Sequence, residues 1–310
     1  MASLSDSFSK MRPSHIPNPI HERTWLHAFP VSLIIFVLLF VRADLFSTAA
    51  ESQNVMPDNL THQDRHVTTR IGKDGVPLIR ISEGEFIMGS HTGQEDERPA
   101  HRVYLDAFYI DRYEVTVERY ATFLHAQKPE RPFKWREATN GAQGRKPVIG
   151  IDWYDAKEYC EWSGRRLPSE AEWEKAARGT DQRTYPWGDE APTRAHANAG
   201  QRTWKGYDSL TAVGSHALGG SPHGVADLSG NVWEWIADRY DQHYYETSPP
   251  RNPPGPSTGP LRVLRGGAWN NDAATIRAAN RAAYAPSARR NDVGFRCAMD
   301  GATASDPVAR

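Results

Sequence analysis

The sequence predicts a loop-rich α+β domain, and three observations point there. Ten Trp, 24 Gly and 22 Pro in 310 residues suit short elements held together by loops packed on aromatic anchors. Three segments carry helical periodicity with capping residues at their ends, and the stretches between them alternate briefly before a Gly or Pro interrupts them. Neither heptads nor an internal repeat is present, so coiled coils and solenoids are excluded.

At the N-terminus, residues 1–24 read as a cytoplasmic segment in which Lys10, Arg12 and Arg23 stand against Asp6 and Glu22, and the apolar run Phe29 to Val41 comes next. That charge order is the positive-inside pattern. The run is shorter than the roughly 20 residues of a free-standing span, but residues 25–46 reach across if Arg42 snorkels. Thr48-Ala49-Ala50 resembles instead the small-residue cleavage site of a signal peptide. A retained transmembrane anchor and a cleaved signal both export the remainder of the chain, either into the periplasm or outside the cell. Residues 47–75 read as a polar linker, 76–299 as the folded domain and 300–310 as a flexible tail. Asn59-Leu60-Thr61 has the form of a glycosylation sequon.

Within the domain, Thr116 is placed as the N-cap of a first helix whose apolar stripe is Val117, Tyr120, Ala121 and Leu124. Asp152 caps a second, with Trp153, Ala156, Tyr159 and Cys160 on one face and Gly164 at its C-terminal end. Ser169 and Glu172 form a capping box for a third, which buries Trp173, Ala176 and Ala177 and ends at Gly179. Strands are expected at Gly84 to Met88, Arg102 to Leu105 and Arg262 to Leu264.

Lys+Arg of 37 against Asp+Glu of 38 leave a net charge of −1, so no field attracts a polyanion and nucleic acid is excluded as a partner. The two cysteines, Cys160 and Cys297, read either as one structural disulfide closing a long loop or as two inert buried thiols.

Seven ordered blocks then carry a resemblance: GEFIMGS from Gly84, HRVYLDAFYIDRYEVT from His101, YCEWSGRRLPSEAEWEKAARG from Tyr159, YPWGDE from Tyr185, DLSGNVWEW from Asp227, RVLRGGAW from Arg262 and GFRCA from Gly294. In this order they resemble the domain of the formylglycine-generating enzyme, or sulfatase-modifying factor, family over roughly residues 76–299. The resemblance implies an α+β fold related to C-type lectins and poor in regular elements. It also implies that Cys160 and Cys297 pair in a disulfide. Family members oxidise a cysteine of an unfolded sulfatase to formylglycine, using two cysteines that bind Cu(I), a soft ion suited to a thiolate pair. Aligning Arg265 to Trp269 with the family's Gly-Gly-aromatic turn puts Asn271 and Ile276 at those two positions, with Ala268 where Ser is usual. Copper and formylglycine-generating activity are therefore not expected.

The resemblance also implies calcium. Asp227 and Glu234 would supply carboxylates and Gly230 and Val232 backbone carbonyls, although the same acids could simply cap a tight turn. A second family site begins at Asn198 with a carbonyl from Ala199; its acidic partner falls at Lys205, with Asp208 near enough to substitute.

Between the GGAW turn and GFRCA the chain is dense in amides and guanidinium groups, so Trp269, Asn270, Asn271, Asp272, Arg277 and Arg281 form the candidate ligand pocket. Arg277 and Arg281 could equally pair with acids of the scaffold. His196, His216 and His223 have no metal-ligand spacing and read as surface residues. No Ser-His-Asp context, phosphate loop or metal cluster is evident, and no catalytic residue is assigned. Two functions fit these residues: a calcium-stabilised module that binds or assists an unknown protein, peptide or small molecule, or an oxidoreductase of the same family using a pocket without cysteine.

Overall fold

The computed structural model describes residues 69–301 apart from 128–131, 133–134 and 139–142. The apolar run Phe29 to Val41 and the sequon lie outside these residues. No helix among the described residues is long and apolar enough to cross a membrane.

Three small sheets organise the chain. The first runs in the order β1-β2-β5-β10, with β1 at Thr69–Ile71, β2 at Pro77–Ile81, β5 at Phe108–Asp111 and β10 at Ala298–Asp300, all antiparallel. β5 thus joins the start and the end of the domain. Ile79 and Ile110 pair in register, and Ile110 pairs again with Ala298 on its other side. β1 lies in the stretch read as linker, where three residues give no periodicity to recognise. The second sheet is the hairpin of β3, Gly84–Met88, with β4, His101–Leu105. In the third, β8 (Arg281–Tyr284), β7 (Arg262–Arg265), β6 (Trp233–Arg239) and β9 (Val293–Gly294) are neighbours in that order, and β6 and β9 run parallel.

The helices begin where their caps direct. α1 spans Val117–Gln127, and Thr116 Oγ1 accepts from Arg119 N at 3.3 Å. Its buried stripe is Val117, Tyr120 and Phe123, turned from the expected Ala121 because Phe123 packs edge-on against Tyr159 at 5.5 Å. A short α2, Trp135–Ala138, follows. α3, Trp153–Trp162, has a capping box between Asp152 and Asp155 and buries Trp153, Ala156, Tyr159 and Cys160. Gly164 follows with φ 78°, a left-handed conformation that glycine adopts without strain. α4, Glu170–Arg178, carries the Ser169–Glu172 capping box and ends at Gly179 with φ 63°. The last helix, α5, is one turn at Tyr244–Thr247.

Two apolar clusters fill the domain. One packs α1 and α3 on Trp233, Trp235 and Phe295, with Tyr120 stacked on Tyr159 at 5.6 Å. The other packs Trp173, Ala176 and Ala177 of α4 against β2, β5 and the β3–β4 hairpin. The disulfide joins Cys160 of α3 to Cys297, with an S–S distance of 2.01 Å and a sequence separation of 137. Closing a loop of that length is worth about 5 kcal/mol in the chain-entropy model.

What is unusual is α4, all nine of whose residues are buried, including Glu170, Glu172, Glu174, Lys175 and Arg178. Buried charges persist only when paired and hydrogen-bonded. Their partners come from Arg265 of β7 and Arg281 of β8, from Arg166 and Ser169 just before the helix, and from backbone carbonyls of the β3 region and of the turn after the helix.

Candidate functional site

The turn after β7 is closed from within. Gly266 and Gly267 both have positive φ, 96° and 74°, and a Cβ on Gly267 would meet Ile276 Cγ2 at 2.7 Å. Asn271 Oδ1 accepts from Ala268 N at 2.8 Å, while Asn271 N donates to Ala268 O at 3.0 Å. The amide at the position where the resemblance implies a cysteine therefore holds its own turn. Asp272 Oδ1 caps the next turn, accepting from Thr275 N at 2.9 Å and Thr275 Oγ1 at 2.8 Å. Ile276, at the second cysteine position, is fully buried with Tyr185 and Ala197. Neither position offers a soft donor, and both cysteines of the sequence are joined in the disulfide. The residues present do not fit a copper ion.

Around this turn the candidate pocket residues separate. Asn270 and Asp272 are exposed, whereas Trp269 is buried, with its ring against Trp204 at 5.3 Å and its Nε1 donating to Asn291 O at 3.3 Å. Both arginines are engaged by carboxylates. Arg277 forks onto Glu97 at 2.6 and 2.8 Å, and Arg281 forks onto Glu170 at 2.7 and 3.0 Å. Arg281 also lies 4.2 Å from the centre of the Tyr245 ring. These pairs belong to a larger network: Glu174 Oε2 accepts from Arg265 Nη2 at 2.5 Å, and Glu174 Oε1 accepts from Arg178 at 2.6 Å. Arg265 Nη1 and Nη2 also donate to the carbonyls of Ala278, Ala279 and Asn280, while its Nε has no partner among the described residues. Burial alone would raise the carboxyl pKa of Glu97 and Glu170, but their arginine partners outweigh it and hold both below the usual range.

The loop Asp227–Glu234 forms a different environment. Asp227 has φ 58° and its Oδ2 accepts from Gly214 N at 2.6 Å. Gly230, also left-handed at φ 81°, leaves no room for a side chain, since a Cβ would meet Asn198 O at 2.4 Å. Glu234 accepts from Arg296 Nε and Nη2, both at 2.7 Å, and from Trp173 Nε1 at 2.9 Å. Close by is Glu114, fully buried; its Oε2 accepts from Asn231 Nδ2 at 2.7 Å and its Oε1 has no partner. Burial first, and then the charges of Asp227 and Glu234, push the Glu114 carboxyl well above the usual range, and burial raises Asp227 too. Three buried carboxylates here share one guanidinium, Arg296. No group of three acid, His or Cys side chains among the described residues converges tightly enough to hold a metal alone. A cation here would therefore draw on backbone carbonyls beside Asp227 and Glu234. The orphaned Glu114 Oε1 is a hard acceptor of the kind Ca²⁺ takes, but both Glu234 oxygens already accept from Arg296, so a Ca²⁺ ion would compete with that guanidinium for Glu234.

At the second loop the fit fails. Asn198 Oδ1 and Ser209 O both accept from Gln201 Nε2, at 2.6 and 2.7 Å, so an amide donor occupies oxygens that a hard cation would need. Asn198 O accepts from Asn231 N at 2.8 Å. Lys205 is exposed, and Asp208 lies 3.5 Å from Lys146, to which it is paired. The acidic member of the set is absent, which leaves Asn198 and Ala199 without the partner they would need. His196 lies flat on Trp187 at 4.8 Å, and His216 Nδ1 bonds Arg194 O at 2.9 Å, both without metal-ligand company.

Sequence reasoning did not find Glu114. Its signal was an acid inside the otherwise apolar stretch Tyr113 to Val117, where a strand or helix face would bury it. Arg194, Arg202 and Lys205, which line one cavity of about 560 Å³ with Asn198, are scattered through a loop that has no period to read.

Comparison with known proteins places this geometry. The profile of the family described as "Sulfatase-modifying factor enzyme 1-like domain" matches residues 66–301. The formylglycine-generating enzyme of Streptomyces coelicolor is 34% identical over 289 residues, covering 74% of this chain and 91% of the relative. Serine/threonine-protein kinase pkn1 of Chlamydia caviae is 35% identical over 240 residues, covering 71% of this chain; the chain spans only 37% of that relative's length. Among solved structures, PvdO from Pseudomonas aeruginosa superposes with a TM-score of 0.62 at 30% identity, covering 75% of this chain and 98% of that one.

Proposed function

Because the chain belongs to the sulfatase-modifying factor enzyme 1-like domain family, we propose that it keeps the family scaffold as a ligand- or protein-binding module, or as an accessory to one, and has given up thiol-dependent oxidation. One observation carries this reading: both cysteines of the sequence are spent in the Cys160–Cys297 disulfide, while Asn271 and Ile276 occupy the positions of the copper-binding pair. A turn whose amide is committed to its own backbone and whose second position is packed among Tyr185 and Ala197 leaves nothing to bind a soft ion. Calcium at Asp227, Gly230, Val232 and Glu234 stabilises the module; the surplus of buried carboxylates supports this assignment. The charge order around the apolar run Phe29 to Val41 supports carriage on the outer side of a membrane.

The test is direct. The purified full chain is incubated with Cu(I), oxygen and a cysteine-containing sulfatase peptide, and aldehyde formation is followed by mass spectrometry. Elemental analysis is run in parallel after exposure to Ca²⁺. No aldehyde, with calcium bound and copper absent, is the expected outcome. Catalytic aldehyde formation would overturn the reading and return the chain to the oxidases.

A further inference from the structure

Most arginines around the core of this domain have carboxylate partners, including Arg165, Arg166, Arg178, Arg265, Arg277, Arg281 and Arg296. The loop around and after His196 breaks this rule. Arg194, Arg202 and Lys205 are exposed, take part in no ion pair or side-chain hydrogen bond among the described residues, and line one cavity together. No acid lines that cavity, and its wall is completed by Gln201, Thr211 and His216. In a chain whose net charge is −1, three uncompensated cations around one hollow are a local feature, not a consequence of overall basicity.

We infer that this cavity is an anion site for a small molecule carrying two or more carboxylate, phosphate or sulfate groups. Guanidinium groups fork onto such oxyanions, and a lysine adds a point charge that follows the ligand. Crowding three like charges costs free energy when the cavity holds only water and less once an oxyanion sits between them. The volume, about 560 Å³, suits a whole small molecule and exceeds what a lone ion fills. Gln201 reinforces the sign: its amide nitrogen saturates Asn198 Oδ1 and Ser209 O from within, so the loop is held shut without a cation and its outer face is left to the arginines. His216 is held between Arg194 O and Thr211 Oγ1, 2.9 Å from each, which fixes one wall.

The site adjoins the turn after β7 through backbone hydrogen bonds and through Ala197 and Ala199, which pack with Ile276. Gly200 N donates to Asn271 O at 2.8 Å and Gln201 N to Trp269 O at 2.9 Å. The inference rests on the binding-module reading and gives it a ligand class. The two fail separately: aldehyde formation would overturn the module, whereas loss of anion capture with no aldehyde formed would overturn only this site.

Calorimetry on the full chain at low ionic strength, with citrate, pyrophosphate and a disulfated disaccharide as probes, tests it. Saturable binding of at least one probe is expected, and the probe that binds most tightly identifies the oxyanion. Affinity should fall by at least about tenfold in Arg194→Gln and again in the Arg194→Gln, Lys205→Gln double variant, with the unfolding temperature of the ligand-free protein unchanged. Arg202→Gln serves as an independent third variant should the double variant fold poorly. The site is refuted by the absence of saturable binding for all three probes, by binding that survives all three substitutions, or by calcium binding that Asn198→Ala abolishes.

Discussion

Two buried ionic networks meet at Trp173, and they are built to opposite charge balances. On one side Arg178, Arg265, Arg277 and Arg281 face Glu97, Glu170 and Glu174, with further guanidinium hydrogens donated to backbone carbonyls. On the other, Glu114, Asp227 and Glu234 share only Arg296. Trp173 faces both: Arg265 lies 5.3 Å from its ring centre, while its Nε1 donates to Glu234. Even the backbone ties them, since Glu234 and Arg265 are register partners on β6 and β7. The contrast separates arginines that complete a scaffold from acids that still want a cation. A paired guanidinium has little left for a ligand, whereas an orphaned carboxylate oxygen is a standing demand for positive charge.

The largest effect expected is on the balanced side. Glu174→Ala strands Arg178 and Arg265 in the core and removes the acceptor of Gly89 N, so denaturant unfolding should show a loss of about 3–5 kcal/mol. Glu114→Gln, by contrast, keeps the shape and removes a carboxyl whose charged form burial already disfavours. Without calcium it should leave stability unchanged or raise it. An equal loss in the two variants would erase the distinction drawn between the networks.

Calcium should act on the acid-rich side alone. At a concentration about a hundredfold above the dissociation constant it adds about 2.7 kcal/mol to the unfolding free energy. Thermal unfolding in Ca²⁺ and in chelator should show that gain in the wild type and lose it in Asp227→Ala. Asn198→Ala should retain it, because the Gln201 amide already satisfies that loop. A gain abolished by Asn198→Ala would mean that the two loops exchange roles.

A pH effect sharpens the same comparison. Burial pushes the Asp238 carboxyl up to about 8, with the charge of Glu170 adding to it. Between its ordinary value of 3.8 and that point the native state keeps a proton that the unfolded chain has released. Stability therefore falls as pH rises through this window, by up to about 1.4 kcal/mol per pH unit for one group. Glu114 and Asp227, also raised, add slopes of the same sign. Asp238→Asn should flatten part of the decline in urea titrations between pH 5 and 8 without altering the calcium response. An unchanged slope would show that Asp238 ionises normally inside the fold.

Much of this architecture was legible because caps and stripes are local. Asp152, Ser169 and Glu172 start their helices from sequence alone, and Gly164 and Gly179 follow them in left-handed conformations. The strands were harder. β1, β9 and β10 are two or three residues long, and β9 and β10 owe their existence to partners such as Trp233 and Ile110, which lie far away in sequence. The family resemblance strengthened the disulfide reading, since the residues alone left two inert thiols open. The site divides in the same way. That Asn271 and Ile276 stand where the resemblance implies cysteines could be read from the sequence, but whether Arg277 and Arg281 were free could not. Their partners Glu97 and Glu170 lie more than a hundred residues earlier, and only the fold brings them together.

The smallest effect tests the basic cavity against both networks. Arg194, Arg202 and Lys205 are exposed and unpaired among the described residues, so no desolvated partner is stranded when one is removed. Lys205→Gln should change ligand-free stability by less than about 0.5 kcal/mol. The sign at low salt should be slightly favourable, since one of three like charges disappears. In high salt, with a Debye length near 3 Å, even that gain should vanish. A loss of more than about 1 kcal/mol would mean that Lys205 replaces the family's second cation as a structural group. The loop would then belong with the arginine scaffold, and its cations would no longer be available to a ligand.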